Sequence, residues 1–231
     1  MPDQAFDLAQ LPAGSAATLA ERAVTLLQRD ILSGALRPGS KLVVADLVDR
    51  YGIGATPVRE GLSRLVAHGL VSAIGQRGFR VARISQDDLR DITSVRRLVE
   101  VEALRLAIAH GRDEWEAGIV ASLHRLQLFA SRSQEAFREG SAEFDDVHRG
   151  FHTALLAACG SPRLLEFHRS LYDQAYRYRR LMMVRHEGRQ SFLDGHRALA
   201  EVVLSRDTAF ACKLLADHLQ LTLHYVYSAH G

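Results

Sequence analysis

Cysteine is scarce: Cys159 and Cys212 are the only two in 231 residues, each among apolar, helix-like neighbours. Two isolated thiols in such surroundings read as reduced core residues rather than a disulfide framework. No apolar run approaches the roughly 18 residues of a membrane span. The acidic start, with Asp3 and Asp7, lacks the basic-then-apolar order of a secretion signal. These absences predict a cytoplasmic protein. Internal repeats and low-complexity tracts are missing, as are a Gly-x-Ser-x-Gly elbow, a phosphate-cradling glycine loop and a His-Glu-x-x-His pair. The common hydrolase and nucleotide-binding signatures are therefore without support.

What remains is an ordinary globular composition, 47% apolar and 24% charged, long enough for one large or two small domains. The net charge is only +2 but unevenly placed. Residues 20–84 hold ten Lys/Arg against five Asp/Glu, whereas residues 85–231 hold nineteen against twenty. A basic module beside a neutral one is the asymmetry expected when only the first meets phosphates.

Residues 1–17 carry Pro2, Pro12, Gly14 and Ser15 without periodicity and read as a flexible arm. Leu19, Ala23, Leu26, Leu27 and Ile31 repeat at helical spacing between Thr18 and Ser33. A second short helix spans Val44–Tyr51. Thr56 is placed to cap a third, with Pro57 at its first position, and Gly69 ends it. Val71–Ile74 and Phe79–Ile84 alternate around Gly75-Gln76-Arg77-Gly78, a hairpin signal. Three helices and a hairpin over residues 18–84 predict a winged helix-turn-helix.

From Ser85 onward the pattern is helical throughout. Segments run to about His110, from Asp113 to near Arg132, over a short piece at Gln134–Glu139, and then over Ala142–Cys159, Pro162 to about His186, Gln190–Ser205 and Thr208–Ser228. Short loops between them predict an antiparallel all-α bundle over residues 85–231.

In the third helix Val58, Leu62, Leu65 and Val66 share one face, leaving Thr56, Arg59, Ser63 and Arg64 toward solvent. Forked guanidinium donors suit guanine edges and phosphates, and a helix N-terminus favours a phosphate oxygen. Arg77 beside Gly78 at the hairpin tip is placed to enter a minor groove. The competing reading is a small helical domain with scattered surface arginines.

His148 and His152 stand four apart on one helix, flanked by Asp145, Val147, Phe151 and Leu155. His196 and His218 lie among apolar residues on two later helices. Neighbouring helices of a bundle can bring four imidazoles to one point, a donor set suited to zinc, nickel or iron. Against this, lone helical histidines are commonly surface or hydrogen-bonded core residues.

The stretch from Ile31 to Leu42, with Arg37-Pro-Gly39, Tyr51-Gly-Ile53, Thr56-Pro-Val-Arg-Glu-Gly-Leu62 and Gly69-Leu-Val71, resembles the N-terminal domain of GntR-type bacterial transcription factors. Thr56, Pro57, Arg59 and Gly78 match the family. Gly54 and Ala55 replace its usual Ser-Arg pair, so the resemblance does not imply the family's usual operator. Residues 85–228 resemble the helical effector domain of the FCD subfamily. There the resemblance implies a divalent metal held by one Asp-x-x-x-His pair and two later histidines. His152, His196 and His218 match these positions, and His148 stands where the family usually has Asp. A donor set of four neutral imidazoles favours a transition metal, zinc first, over calcium or magnesium.

Arg96, in Val95-Arg-Arg-Leu-Val-Glu100, matches a family arginine that often points into the effector cavity, although an i,i+4 ion pair with Glu100 explains it equally well. Arg179 is a second candidate for a carboxylate. Gly111-Arg-Asp-Glu-Trp-Glu-Ala117 and Ala158-Cys-Gly-Ser161 look most like a family member that responds to glutarate, implying a short dicarboxylate such as glutarate or 2-hydroxyglutarate. The reading in sum is a dimeric, ligand-controlled repressor of double-stranded DNA, on nucleoid DNA when bound, with helix Asp87–His110 in the dimer interface. Two alternatives stand beside it. One is a metal-dependent hydrolase with a DNA-binding appendage, and the other is a regulator whose metal is purely structural.

Overall fold

The computed structural model of the protein describes residues 18–75, 78–132, 142–182 and 188–227. The expected arm at 1–17, the short helical piece at 134–139 and Arg77 lie outside them. Helix α1, Leu19–Leu32, opens on a reciprocal cap: the Thr18 hydroxyl accepts from the Glu21 N–H at 3.2 Å, and the Glu21 carboxylate accepts from the Thr18 N–H at 2.6 Å. Then follow β1 (Lys41–Leu42), α2 (Val44–Tyr51), α3 (Ala55–Ala67), β2 (Val71–Ala73) and β3 (Phe79–Val81). The strands form one antiparallel sheet in the order β1-β3-β2. The hairpin was legible in the sequence. β1 was not, because two residues cannot display an alternation.

The start of α3 differs from expectation. Gly54 is its N-cap, with φ −59° and ψ 160°, so Ala55, Thr56 and Pro57 occupy the first three helical positions and Thr56 is not the cap. The first internal bond runs from the Val58 N–H to the Gly54 carbonyl at 3.2 Å. A helix's first N–H groups have no internal partner, so proline is as harmless in this third position as in the first.

Leu27, Ile31, Val58 and Leu62 are fully buried between α1 and α3, joined by Leu47, Leu65 and Val81. Each contributes about 1.5–3 kcal/mol by leaving water. Gly61 lets the two helices approach: a Cβ there would lie 3.1 Å from the Ala23 Cβ and 3.2 Å from the Val24 backbone nitrogen. Gly78, at φ +99°, takes a backbone shape that side-chain-bearing residues rarely adopt, as its place in the hairpin turn requires.

The rest of the described chain is helical: α4 (Gln86–His110), α5 (Asp113–Arg132), α6 (Ala142–Leu156), α7 (Pro162–Met182), α8 (Arg189–Leu204) and α9 (Thr208–Tyr227). The Ser85 hydroxyl caps α4 by accepting from the Asp88 N–H at 3.1 Å. Helix α6 stops at Leu156, three residues before the expected Cys159, in a turn that precedes Gly160. Leu104, Ile119, Phe144, Phe151, Leu155, Leu199, Val203 and Leu215 form the bundle's apolar core. Both cysteines are free thiols. No described helix is long and apolar enough to cross a membrane.

Helix α7 joins the two parts. Its Tyr172 and Tyr176 complete the apolar cluster of the N-terminal unit. Arg177 donates to the carbonyls of Ala82 at 3.1 Å and Arg83 at 3.2 Å. The Tyr178 oxygen accepts from the Ser85 N–H at 3.0 Å, and its hydroxyl donates to Asp88. The short link from β3 to α4 is therefore gripped from the bundle side.

Candidate functional site

Three bundle helices bring the four histidines together. His148 and His152 point inward from α6, His196 from α8 and His218 from α9, with their ligand atoms all within 4.8 Å of one another. The first three are buried and His218 is partly so. The Nε2 atom of His148 lies 3.0 Å from that of His196 and 3.0 Å from that of His152. An imidazole nitrogen carries either one in-plane proton or one in-plane lone pair. His148 Nε2 therefore cannot hydrogen-bond with both neighbours. His196 Nδ1 lies 2.7 Å from the Phe192 carbonyl, which makes it the protonated nitrogen and leaves its Nε2 a lone pair aimed at the cluster.

Electrostatics point the same way. Burial, Arg179 and the sibling imidazoles hold His148 well below the ordinary histidine value. Burial and the other three rings do the same for His152, and burial and His218 for His196. His218 is pushed down to about 4 by burial, then by Arg179 and Arg96, with Glu100 opposing. Four neutral rings at neutral pH turn nitrogens toward one point, with the His196 lone pair fixed there by its Nδ1–H bond. One ion that draws these nitrogens in to about 2.0–2.1 Å would satisfy them together. The cluster can hold a metal ion.

Polar side chains surround the cluster, buried except for Arg149, which is 27% exposed. His148 Nδ1 lies 3.1 Å from the Tyr172 hydroxyl, which donates to Asp145 Oδ1 at 3.4 Å. Such an outer partner fixes a ligating ring's orientation and tautomer. Three guanidiniums surround the Tyr172 ring, with carbons 5.5 Å (Arg96), 5.2 Å (Arg149) and 5.1 Å (Arg179) from its centroid. Arg96, 3% exposed, also makes the ion pair anticipated as its plainer role, Nε to Glu100 Oε1 at 2.7 Å. Burial alone would raise Glu100, but the Arg96 charge and His168, 3.2 Å away, outweigh it and hold the carboxyl near 2. Arg179 is 6% exposed and also stacks on Tyr176. Both predicted arginines thus flank the histidine cluster.

On the N-terminal unit Thr56, Arg59 and Arg64 are exposed along α3, and Pro57 is half-buried. Arg64 folds back onto Glu60 at 2.5 Å, one turn away, an exposed pair worth little in water. Gly78 sits in the hairpin turn. Lys41 and Arg80 lie directly opposite each other across β1 and β3, both exposed, which sequence reasoning missed because β1 was invisible. Tyr172, Glu100, His168, Asp145 and Arg149 were also missed as parts of one interior. Their only signal is helical spacing on α7 (His168, Tyr172, Arg179), which a solvated face would share.

Comparisons with known proteins agree with this architecture. The model of the gntR family of bacterial regulatory proteins matches residues 19–81, and that of the FCD domain matches residues 91–221. The HTH-type transcriptional repressor GlaR of Escherichia coli is 40% identical over 88% of this chain and 93% of its own length. The HTH-type transcriptional regulator BphR of Paraburkholderia xenovorans is 37% identical over 97% of this chain and 92% of its own. Among solved structures, E. coli McbR/YncC superposes with a TM-score of 0.77, covering 94% of this chain and all of its own at 22% identity, a likeness of fold.

Proposed function

The chain belongs to the GntR family of bacterial regulatory proteins and carries its FCD domain, and from that premise we propose a dimeric repressor whose DNA affinity is set by a metal-bound carboxylate. The coarser statement is plain: this is a DNA-binding transcriptional regulator of the GntR/FCD type, and its families and relatives are regulators, not enzymes. The hydrolase alternative falls there. It also lacks a water-activating carboxylate between His148 and His152, where Arg149 and Gly150 stand.

The observation that carries the proposal is the convergence of four neutral imidazoles on one point in the bundle. They suit a borderline-soft divalent ion, zinc first, then nickel or iron. An ion held there would offer a Lewis-acidic position to one carboxylate oxygen by expanding beyond its four ring nitrogens. Arg96 and Arg179 beside it are charge-assisted donors for the rest of a small acid. Two such donors fit a dicarboxylate, in keeping with the resemblance to a glutarate-responsive member.

We assign residues 1–17 to an arm, 18–84 to the DNA-binding unit and 85–231 to the effector and dimerisation domain. Thr56, Pro57, Arg59 and Arg64 on α3, with Arg77 and Gly78 in the hairpin, face the operator. Support comes from Lys41 and Arg80: like charges directly opposed across a sheet are unfavourable unless an anion lies against them. Leu98, 75% exposed on α4, with Val95 one turn before it, supports a homodimer contact along that helix. Repression is taken from the E. coli relative's role, and the setting is the bacterial cytoplasm.

The test is a gel shift on DNA flanking the gene, with metal content measured on the same preparation. We expect about one zinc per chain by the four-ligand geometry, tight DNA binding, and release by glutarate or another four- to six-carbon diacid. DNA affinity indifferent to every such acid, with the metal present, leaves only a structural ion and sinks the sensor.

A further inference from the structure

We infer that Tyr172 is the positioning residue through which the histidine cluster controls the DNA-binding unit, an inference that rests on the metal-and-carboxylate reading above. One fully buried side chain belongs to both halves of the molecule. Its hydroxyl stands 3.1 Å from His148 Nδ1, the outer nitrogen of a ring in the cluster. Its ring lies in the same apolar cluster as Leu27 and Ile31 of α1, the helix that supports α3. A displacement of His148 or of Tyr172 is therefore felt at the other end without an intermediate.

A polar chain runs beside it. Tyr172 donates to Asp145; Arg149 bridges Asp145 at 2.9 Å and Asp173 at 2.8 Å; Asp173 accepts from Gln28 on α1. The seam is not packed solid. A cleft of about 580 Å³ opens between α1 and α6, lined by Gln28, Arg29, Asp145, Arg149 and Tyr176, and leaves room for these side chains to move.

The three guanidiniums around the Tyr172 ring supply the differential contact that a switch needs. Arg96 and Arg179 are the two groups assigned to the incoming acid. The Arg179 charge serves the ring face or a carboxylate, and that of Arg96 is already shared between the ring and Glu100. An acid that draws them off the ring leaves Arg149, anchored by Asp145 and Asp173, as the remaining cation over Tyr172. The ring then settles differently against α1, and the DNA-binding unit moves with it.

The test uses the full-length protein with zinc and glutarate as probes, and reads DNA affinity with and without glutarate by fluorescence anisotropy. Zinc content and glutarate affinity are measured in parallel. In the unmutated protein glutarate changes DNA affinity by a factor in the usual allosteric range, about 5–150. Tyr172→Phe keeps the ring but loses the hydroxyl. With zinc supplied to saturation, since losing an outer partner of His148 weakens metal affinity, it should keep glutarate binding and effector-free DNA affinity, while the glutarate-induced change shrinks to about twofold or less, against that same range. A merely structural role would lower DNA affinity itself and leave the ratio intact. Gln28→Ala cuts the head end of the chain without touching the cluster, and should reduce the ratio too. A ratio preserved in both variants overturns the inference. If Tyr172→Phe loses zinc or melts, Gln28→Ala decides alone. Absence of any glutarate response in the unmutated protein removes the sensor reading, and this inference falls with it.

Discussion

The two parts of the molecule bury opposite things. Within residues 18–84 the interior is leucine, isoleucine and valine, with Asp30 as its one buried charge among the described residues, held by Arg50, Tyr51 and Arg29. Within the bundle, Arg96, Glu100, Asp145, His148, His152, His168, Asp173, Arg177, Arg179 and His196 are all buried. An unpaired charge in such an interior is costly, and breaking one buried pair costs about 3–5 kcal/mol. The basic unit keeps Arg59 and Arg64 outside, over an apolar core that Tyr172 and Tyr176 of α7 complete. The bundle turns charged groups inward, where Arg96 pairs with Glu100 and Arg149 with Asp145 and Asp173, beside four histidines that converge on one point.

The contrast breaks most sharply under chelation. Stripping metal should destabilise the bundle by about 4 kcal/mol, the stabilisation expected at a thousandfold excess over Kd, and the N-terminal unit, which shares Tyr172 and Tyr176 with it, by less. Calorimetry with and without chelator reads this, and His196→Ala should abolish the difference. Loss of both parts together would mean that they unfold as one.

A smaller effect sharpens the contrast from the other side. Arg59→Ala removes an exposed guanidinium, so it should weaken operator binding by about 1–3 kcal/mol with stability changed by less than about 0.5 kcal/mol. Titrating labelled operator and melting the same samples checks both. A large fall in melting temperature would place Arg59 in the fold rather than at the groove.

A further effect is a pH slope in the metal-free protein. Groups whose folded pKa lies below the unfolded value give stability that is complete above the latter and lost on acidification. For the histidines that window runs from 6.5 downward, to about 4 for His218, and for Glu100 from 4.5 to about 2. Asp173 opposes: burial raises it to about 6, so its contribution is full below 3.8 and fades as pH climbs through 6. The net expectation is a melting temperature that falls from pH 6.5 toward 4. His218→Phe should flatten that fall.

How much was readable follows the same division. The N-terminal unit works through neighbours in sequence: Thr56 to Arg64 is one helix, and its turn residues announce themselves. Only Gly54 as the cap of α3 and the two-residue β1 escaped, since a glycine cap two residues earlier and a strand without alternation leave no signature. In the bundle the helices were legible from periodicity, and the histidines from type and spacing. What escaped was adjacency. That Tyr172 meets His148, and that Arg149 reaches Asp173, depends on which faces of α6 and α7 turn toward each other. A polar residue at helical spacing looks the same whether its stripe faces water or a partner helix.

The grip of Arg177 and Tyr178 on residues 82–85 has a consequence for how operators are found. A DNA-reading module on a loose tether must surrender orientational freedom each time it docks, at a cost charged against affinity. Here that freedom is relinquished during folding, because the tether's carbonyls and first helical turn are already held by α7. The separation of two such modules in a dimer is then a property of the folded chain. Half-sites spaced by one base pair more or less should be rejected by geometry, before any base edge is read.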